Sequence, residues 1–312
     1  MSKELRGWLL LLLLACVWGS SFILMKKGMH THEGHPIFSD AQVGALRMLI
    51  AGLVLLPFGI SHFRKIKTFK QLLSLAIVGF FGNFFPAFLF TYSETGISSG
   101  FAGMLNSFTP IFTVLIGFII FKVKLSPLQL IGVLIGTAGI YFLMVAGKSI
   151  SMKGDWSHIL AVVLATFFYA ISLNTIKHTL QMFKAVEITS LAFMLVLPPA
   201  LLANWNFDTL TTIQTNEYAW EGLFFITILA VVGTAIAVIL FNRIISVTSA
   251  LFASSVTYFI PIVAVIIGLN FKETISGGQI VAMGVILIGV LLVNLGPQLM
   301  QKFNSRERNS GN

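Results

Sequence analysis

Residues 101–117 read FAGMLNSFTPIFTVLIG, and residues 252–268 read FASSVTYFIPIVAVIIG. The two stretches lie 151 positions apart and share eight of seventeen residues, among them Phe101/Phe252, Phe108/Phe259, Pro110/Pro261 and Gly117/Gly268. Two apolar segments that merely resemble each other in composition do not place a proline, a glycine and two phenylalanines in one register. The same offset pairs Trp18-Gly19 with Tyr169-Ala170, Gly82 with Gly233, Leu89 with Leu240, Phe90 with Phe241 and Ser98 with Ser249. After a one-residue deletion, Gln129 and Gly139 match Gln279 and Gly289 at an offset of 150. The chain is therefore read as two repeats, 1–148 and 154–300, followed by a short tail at 301–312.

Composition says what solvent surrounds these repeats. The 312 residues are 56% hydrophobic and 10% charged, against roughly 25% charged in soluble domains. Apolar runs near membrane-spanning length fall at about 6–27, 40–61, 71–93, 98–121, 128–147, 157–178, 186–203, 221–243, 249–270 and 278–296. They are continuous, whereas a membrane barrel needs short alternating segments. The expected fold is all-α and integral to the membrane, with ten transmembrane helices as two inverted five-helix repeats. Inversion follows from the odd number: a five-helix repeat leaves the chain on the opposite face, so the second repeat enters the other way.

The net charge of +9 is a matter of topology and predicts no nucleic-acid partner. Fourteen basic residues, including Lys3, Arg6, Arg64, Lys65, Lys122, Lys124, Lys177, Lys184 and Arg306, fall at one set of helix ends. Lys26, Lys27, Lys148, Lys153 and Lys272 fall at the other. The positive-inside rule then puts both termini in the cytoplasm. A signal-peptide reading of the N-terminus fails because the apolar stretch runs on to Met25 and further apolar runs follow. Cys16 is the sole cysteine and is expected to be buried as a small apolar residue.

The ordered motifs resemble the EamA-type transporters of the drug/metabolite transporter superfamily. Trp18-Gly19-Ser20-Ser21-Phe22 is similar to the first-helix hallmark of that family, and Leu46-Arg47-Met48-Leu49-Ile50-Ala51-Gly52 to its second-helix arginine motif. The proline helix followed by Ser126, Gln129 and Gly139, and Lys272-Glu273-Thr274-Ile275-Ser276 with Gln279 and Gly289, fit the same pattern. One departure stands out: the glutamate common after the fourth helix is Val123 here, while Glu273 keeps it in the second half. The resemblance implies a ten-helix permease of the bacterial inner membrane that exports small metabolites, often amino acids or related amphipathic compounds.

Inverted repeats meeting near the membrane midplane are a recurring architecture of secondary transporters, because two similar halves can exchange conformations. The expected function is export by alternating access; a channel or facilitator and a non-transporting metabolite sensor are the alternatives. No enzyme constellation, nucleotide loop or cofactor motif is present in the sequence. Partners are accordingly a small-molecule substrate and the lipid bilayer, with proton antiport and substrate antiport both open. Candidate cavity residues are the matched pairs Asn83/Thr234, Asn106/Thr257 and Trp18/Tyr169, with Tyr92 and Tyr258 as further aromatic walls. Arg47, a charge inside a membrane helix, and Glu94, near the outer end of the third helix, are candidates for gating or proton coupling. Each has a structural counterpart reading: helix packing for the small and polar residues, anchoring for Arg47, a solvated acid for Glu94. The loop His30–His35 (HTHEGH) is read as a solvated polar loop, with transition-metal binding by its three histidines and Glu33 as the alternative.

Overall fold

The computed structural model describes residues 3–148, 156–247, 256–271 and 275–310, and every described segment is helix or connection. Lipid offers no partners for backbone N–H and C=O groups, so the chain satisfies them within helices. The helices are α1 (Lys3–Met29), α2 (Asp40–His62), α3 (Phe69–Gly79), α4 (Phe85–Ser93), α5 (Ser99–Leu105), α6 (Thr109–Ile119) and α7 (Pro127–Lys148). They continue as α8 (Trp156–Thr179), α9 (Ala185–Asn206), α10 (Thr209–Thr215), α11 (Ala219–Ala230), α12 (Ala237–Val247), α13 (Val256–Asn270) and α14 (Gly277–Ser310).

Among the described residues, seven helical segments are long and apolar enough to cross a membrane: Leu9–Met29, Asp40–Lys65, Phe69–Ser93, Ser99–Ile119, Trp156–Thr179, Ala185–Asn206 and Ala219–Ile244. Three shorter apolar stretches, Pro127–Leu143, Phe259–Asn270 and Gly277–Val293, coincide with the remaining runs of the sequence. The last helix continues to Ser310, through most of the segment read as a tail. Cys16 corrects an expectation: it is exposed. Leu9, Leu12, Leu13 and Cys16 recur at helical spacing and form the outer stripe of α1, while Leu11, Leu14 and Ala15 turn inward. Among the tryptophans whose side chains are described, Trp205 and Trp220 are the most exposed, near the end of α9 and the start of α11 beside the 206–218 connection. Such amphipathic rings suit the membrane–water boundary.

The two repeats interlock. Helix α2 packs on α9, and α7 on α14. A β-carbon added at Gly52 would meet Leu197, and one at Gly59 would meet Ser190 and Met194, so α2 and α9 run antiparallel. Along α7 and α14 the order is likewise reversed: Gly132 faces Gly289 and Val293, Gly139 faces Ile286, and Gly296 faces Leu128 and Gln129. Equivalent helices of the two repeats thus point in opposite directions. The glycines allow the close approach, as small residues do where lipid supplies no hydrophobic drive between helices. At Gly289 an added β-carbon would stand 2.6 Å from the Cα of Gly136 and 2.7 Å from the carbonyl oxygen of Gly132.

The matched Ser-x-x-Gln motifs have a local cause. Ser126 Oγ accepts from the Gln129 backbone N–H at 3.2 Å, while Gln129 Oε1 accepts from the Ser126 backbone N–H at 3.0 Å. Ser276 and Gln279 repeat the arrangement at 3.1 and 2.9 Å. Each is a capping box that starts α7 or α14.

Candidate functional site

Two π-helical turns sit at repeat-matched positions, Phe80–Phe84 between α3 and α4 and Val231–Ile236 between α11 and α12. Asn83 Nδ2 donates to the Val78 carbonyl at 3.2 Å, and Thr234 Oγ1 donates to the Leu229 carbonyl at 3.0 Å. Both bonds reach back five residues, and both donors and acceptors are related by the 151-residue offset. A π turn interrupts the regular ladder, and the polar side chain ties up the carbonyl. Pro86 follows the first turn at the start of α4 and suits it, since proline lacks an N–H. The second turn has Ala237 at the matching place, so the shared determinant is the glycine–polar dipeptide, Gly82-Asn83 and Gly233-Thr234.

Each π turn packs against the first helix of the other repeat. Gly82 leaves room for Ser172 on α8, and Gly233 leaves room for Ser21 on α1; Ser21 and Ser172 are themselves matched. The aromatic contacts obey the same symmetry. Trp18 meets Phe241 edge-on with centroids 5.0 Å apart, and Tyr169 stacks on Phe90 at 5.8 Å.

Between these elements lies a cavity of about 530 Å³, within the range of small-ligand sites. Arg47 enters it from α2 and is 9% exposed. Its Nε donates to Thr234 Oγ1 at 2.8 Å. One residue earlier, the Gly233 carbonyl accepts from Trp18 Nε1 at 3.1 Å. On the far wall, Asn242 Nδ2 donates to Thr189 Oγ1 at 3.0 Å, and Asn174 Nδ2 donates to the carbonyls of Thr113 and Ala170 at 2.9 Å each. Most of the remaining lining is apolar.

The cavity is asymmetric end to end. Towards one end its lining includes Val123, Lys124 and Lys177, all exposed. Towards the other it stops at Phe22, Met25 and Phe90, all buried. Beyond that closed end, Lys26 on α1 pairs with Glu94 at 3.6 Å, and Ser99 Oγ donates to Glu94 Oε2 at 2.8 Å. Glu94 is 4% exposed. The cavity therefore opens at one end of the bundle and is plugged at the other.

Of the residues singled out in the sequence, Trp18, Arg47, Asn83, Asn106, Tyr169, Thr234 and Thr257 line the cavity together. Glu94 lies past its closed end. Tyr92 lies outside it too, at 37% exposure, with its hydroxyl 2.9 Å from Ser157 Oγ and its ring stacked on His158. The side chain of Tyr258 lies outside the described residues. Pro110 cannot donate to the Asn106 carbonyl four residues earlier, and the Thr109 hydroxyl donates to it at 3.0 Å instead. In the 30–35 loop, His35 stacks on Tyr218 and lies 3.4 Å from Glu33. Ser21, Ser172, Phe90 and Phe241 were not singled out as site residues, although the repeat register carries their signal. Thr189 and Asn242 carried none: each is an ordinary polar residue of a membrane helix until the fold brings them together.

Comparison with known proteins agrees with the architecture. The family model described as the EamA-like transporter family matches residues 5–145 and again 156–295. Over 289 residues the chain is 27% identical to "Uncharacterized inner membrane transporter YedA" of Escherichia coli strain K12, covering 91% of this chain and 89% of that protein. Over 148 residues it is 30% identical to "Probable amino-acid metabolite efflux pump" of Salmonella typhimurium, covering 46% of each chain. A crystal structure shares the fold with a TM-score of 0.61 at 16% identity, covering 96% of this chain and 99% of the other. Two matches of one family model, one to each repeat, span nearly the whole sequence, and the chain belongs to the EamA-like transporter family.

Proposed function

We propose that the protein is a secondary transporter that exports small metabolites, amino acids or related amphipathic compounds, across the bacterial inner membrane by alternating access. The observation that carries this reading is the cavity between two antiparallel repeats, open at one end and plugged at the other. In this reading all ten apolar runs cross the membrane, as two inverted five-helix repeats at 1–148 and 154–300 with a cytoplasmic tail from 301. The positive-inside rule assigns the end bearing Lys124 and Lys177 to the cytoplasm, so the described conformation is inward-open. Trp18, Asn83, Asn106, Tyr169, Thr234 and Thr257 contact the substrate, and Lys26 with Glu94 closes the periplasmic side. Exchange of roles between the matched π turns would open that side and close the other. A continuous pore has no need of such a plug, which is why a carrier is preferred to a channel. The names of relatives, an inner membrane transporter and an amino-acid metabolite efflux pump, point the same way.

The test is the metabolite profile inside and outside cells that overproduce the protein. Controls are empty vector and an Asn83→Leu/Thr234→Leu variant at matched abundance. A compound enriched outside only with the wild type is the expected result. Export that persists in the variant removes the assigned site, and an unchanged profile removes the export reading. Cross-linking engineered cysteine pairs at either end tests alternating access: each lock should abolish flux.

A further inference from the structure

Arg47 is nine-tenths buried within the membrane-spanning part of α2. Among the described residues no carboxylate pairs with it; its hydrogen-bond partner is the neutral hydroxyl of Thr234. Among the described residues, the remaining ionic groups lining the cavity are Lys124 and Lys177 at the open end, with no aspartate or glutamate. A guanidinium in the membrane interior is costly unless something pairs with it. Its fork of donors matches the two oxygens of a carboxylate, a pairing roughly twice as strong as one between neutral groups. With Nε occupied by Thr234, the terminal nitrogens are the donors left for a ligand.

We propose that Arg47 is the anchor for the carboxylate of the transported solute, so that this cavity takes amphipathic organic anions and zwitterions and rejects solutes whose only charge is positive. The inference rests on the transport reading above and names its substrate class. Size and shape narrow the class further. Trp18 and Arg47 hold consecutive residues of one π turn, through Gly233 and Thr234. The carboxylate anchor therefore adjoins an aromatic wall, which suits a solute whose apolar group is attached within a few bonds of its carboxylate. Lys124 and Lys177 give the open end the sign that draws such solutes in.

The test compares acids with their own amides on the purified full chain in lipid nanodiscs. Probes are 3-phenylpropionate, L-phenylalanine and L-leucine, against 3-phenylpropanamide, L-phenylalaninamide and L-leucinamide, titrated by thermal stabilisation. At least one acid should stabilise the wild type, with its amide weaker by about tenfold or more. Arg47→Gln should erase the difference between acid and amide, and Arg47→Lys should keep the preference for the acid. Amides that bind as well as acids, acids that bind Arg47→Gln as well as wild type, or no binding by any of the three acids would each overturn the proposal. The acid–amide comparison on the wild type needs no variant, so a misfolded Arg47→Gln leaves the test standing. Its failure is also separable from that of the export reading. Export seen in the metabolite profile with no acid preference here removes only the anchor. An acid that binds through Arg47 but is not moved by the cells removes only export.

Discussion

Replacing Gly82 with alanine should damage the protein more than replacing its repeat-mate Gly233, and the difference can be worked from the neighbours. A β-carbon at position 82 would overlap Ser172 Oγ and stand 2.9 Å from Ser172 Cβ. The hydroxyl can rotate away, but Cβ is fixed to the backbone of α8. Reaching a normal carbon–carbon contact of about 3.5 Å requires α8 to retreat by about half an ångström. Overpacking of that kind costs about 1–3 kcal/mol, and the better helix propensity of alanine returns about 1 kcal/mol. A net loss of about 1 kcal/mol is expected. At Gly233 the nearest atoms are Ser21 Oγ at 3.0 Å and Leu229 Cδ1 at 3.3 Å, both at the far ends of side chains. They can move aside, at the expense of the Ser21 Oγ bond to the Val17 carbonyl at 2.9 Å, and the substitution should be close to neutral. The assay is the unfolding midpoint in detergent for Gly82→Ala, Gly233→Ala, Ser172→Gly and the double variant Gly82→Ala/Ser172→Gly. The double-mutant cycle should return a favourable coupling of about 1 kcal/mol. Equal losses at the two glycines, or no recovery in the double variant, would refute the claim that Gly82 is required by the approach of α8.

Thr234→Val keeps the shape of the side chain but removes the acceptor of Arg47 Nε and the donor to the Leu229 carbonyl; thermal unfolding should show a loss of about 1–3 kcal/mol. Gln129→Ala and Gln279→Ala each break a capping box at a cost of about 1 kcal/mol. Gln129 should cost more, because its Nε2 also donates to the Val293 carbonyl at 3.2 Å, and denaturant titration of the two variants checks the order. Glu94→Gln weakens the tie to Lys26. In a Cys16→Ser background carrying Met25→Cys, it should raise labelling by a membrane-impermeant maleimide added from outside; unchanged labelling would argue against a gate there.

The fold was legible wherever a residue had to solve a problem that its repeat-mate also had. The offset of 151 residues already pairs the glycines of the two π turns and the aromatics that meet across them. What the sequence did not disclose is which partner each would take. That Trp18 meets Phe241, and Tyr169 meets Phe90, depends on the first helix of each repeat docking on the other repeat. The same limitation explains Thr189 and Asn242, brought together only by the packing of α9 on α12. Pro86 follows the first π turn, yet the turn recurs at 231–236 with Ala237 at the matching place, so proline accompanies the distortion and does not create it. Cys16 was misjudged because composition ranks residues by burial in water, whereas the outer face of α1 meets lipid and an apolar side chain is at home there.

In the alternating-access reading proposed above, symmetry would allow two conformations, and its breaches bear on which one is favoured. Lys26 and Lys177 occupy matched positions on α1 and α8. At the closed end Lys26 reaches Glu94, but the position equivalent to Glu94 in the second repeat is Ile245. An ion pair thus ties this end, and the repeat register places no acid at the matching position of the other repeat. Were the two halves identical, the inward-open and outward-open forms would have equal energy. The extra tie lowers the form in which the Glu94 end is closed, which is the form described here. Arg47 breaks the symmetry in a second way, since α9 carries no lysine or arginine at all. A solute paired with Arg47, as proposed, would compensate the one buried charge lining the cavity among the described residues and reduce the electrostatic cost of enclosing it. If the protein works by alternating access as proposed, the Lys26–Glu94 tie favours the conformation closed at that end, and a solute paired with Arg47 makes leaving it easier.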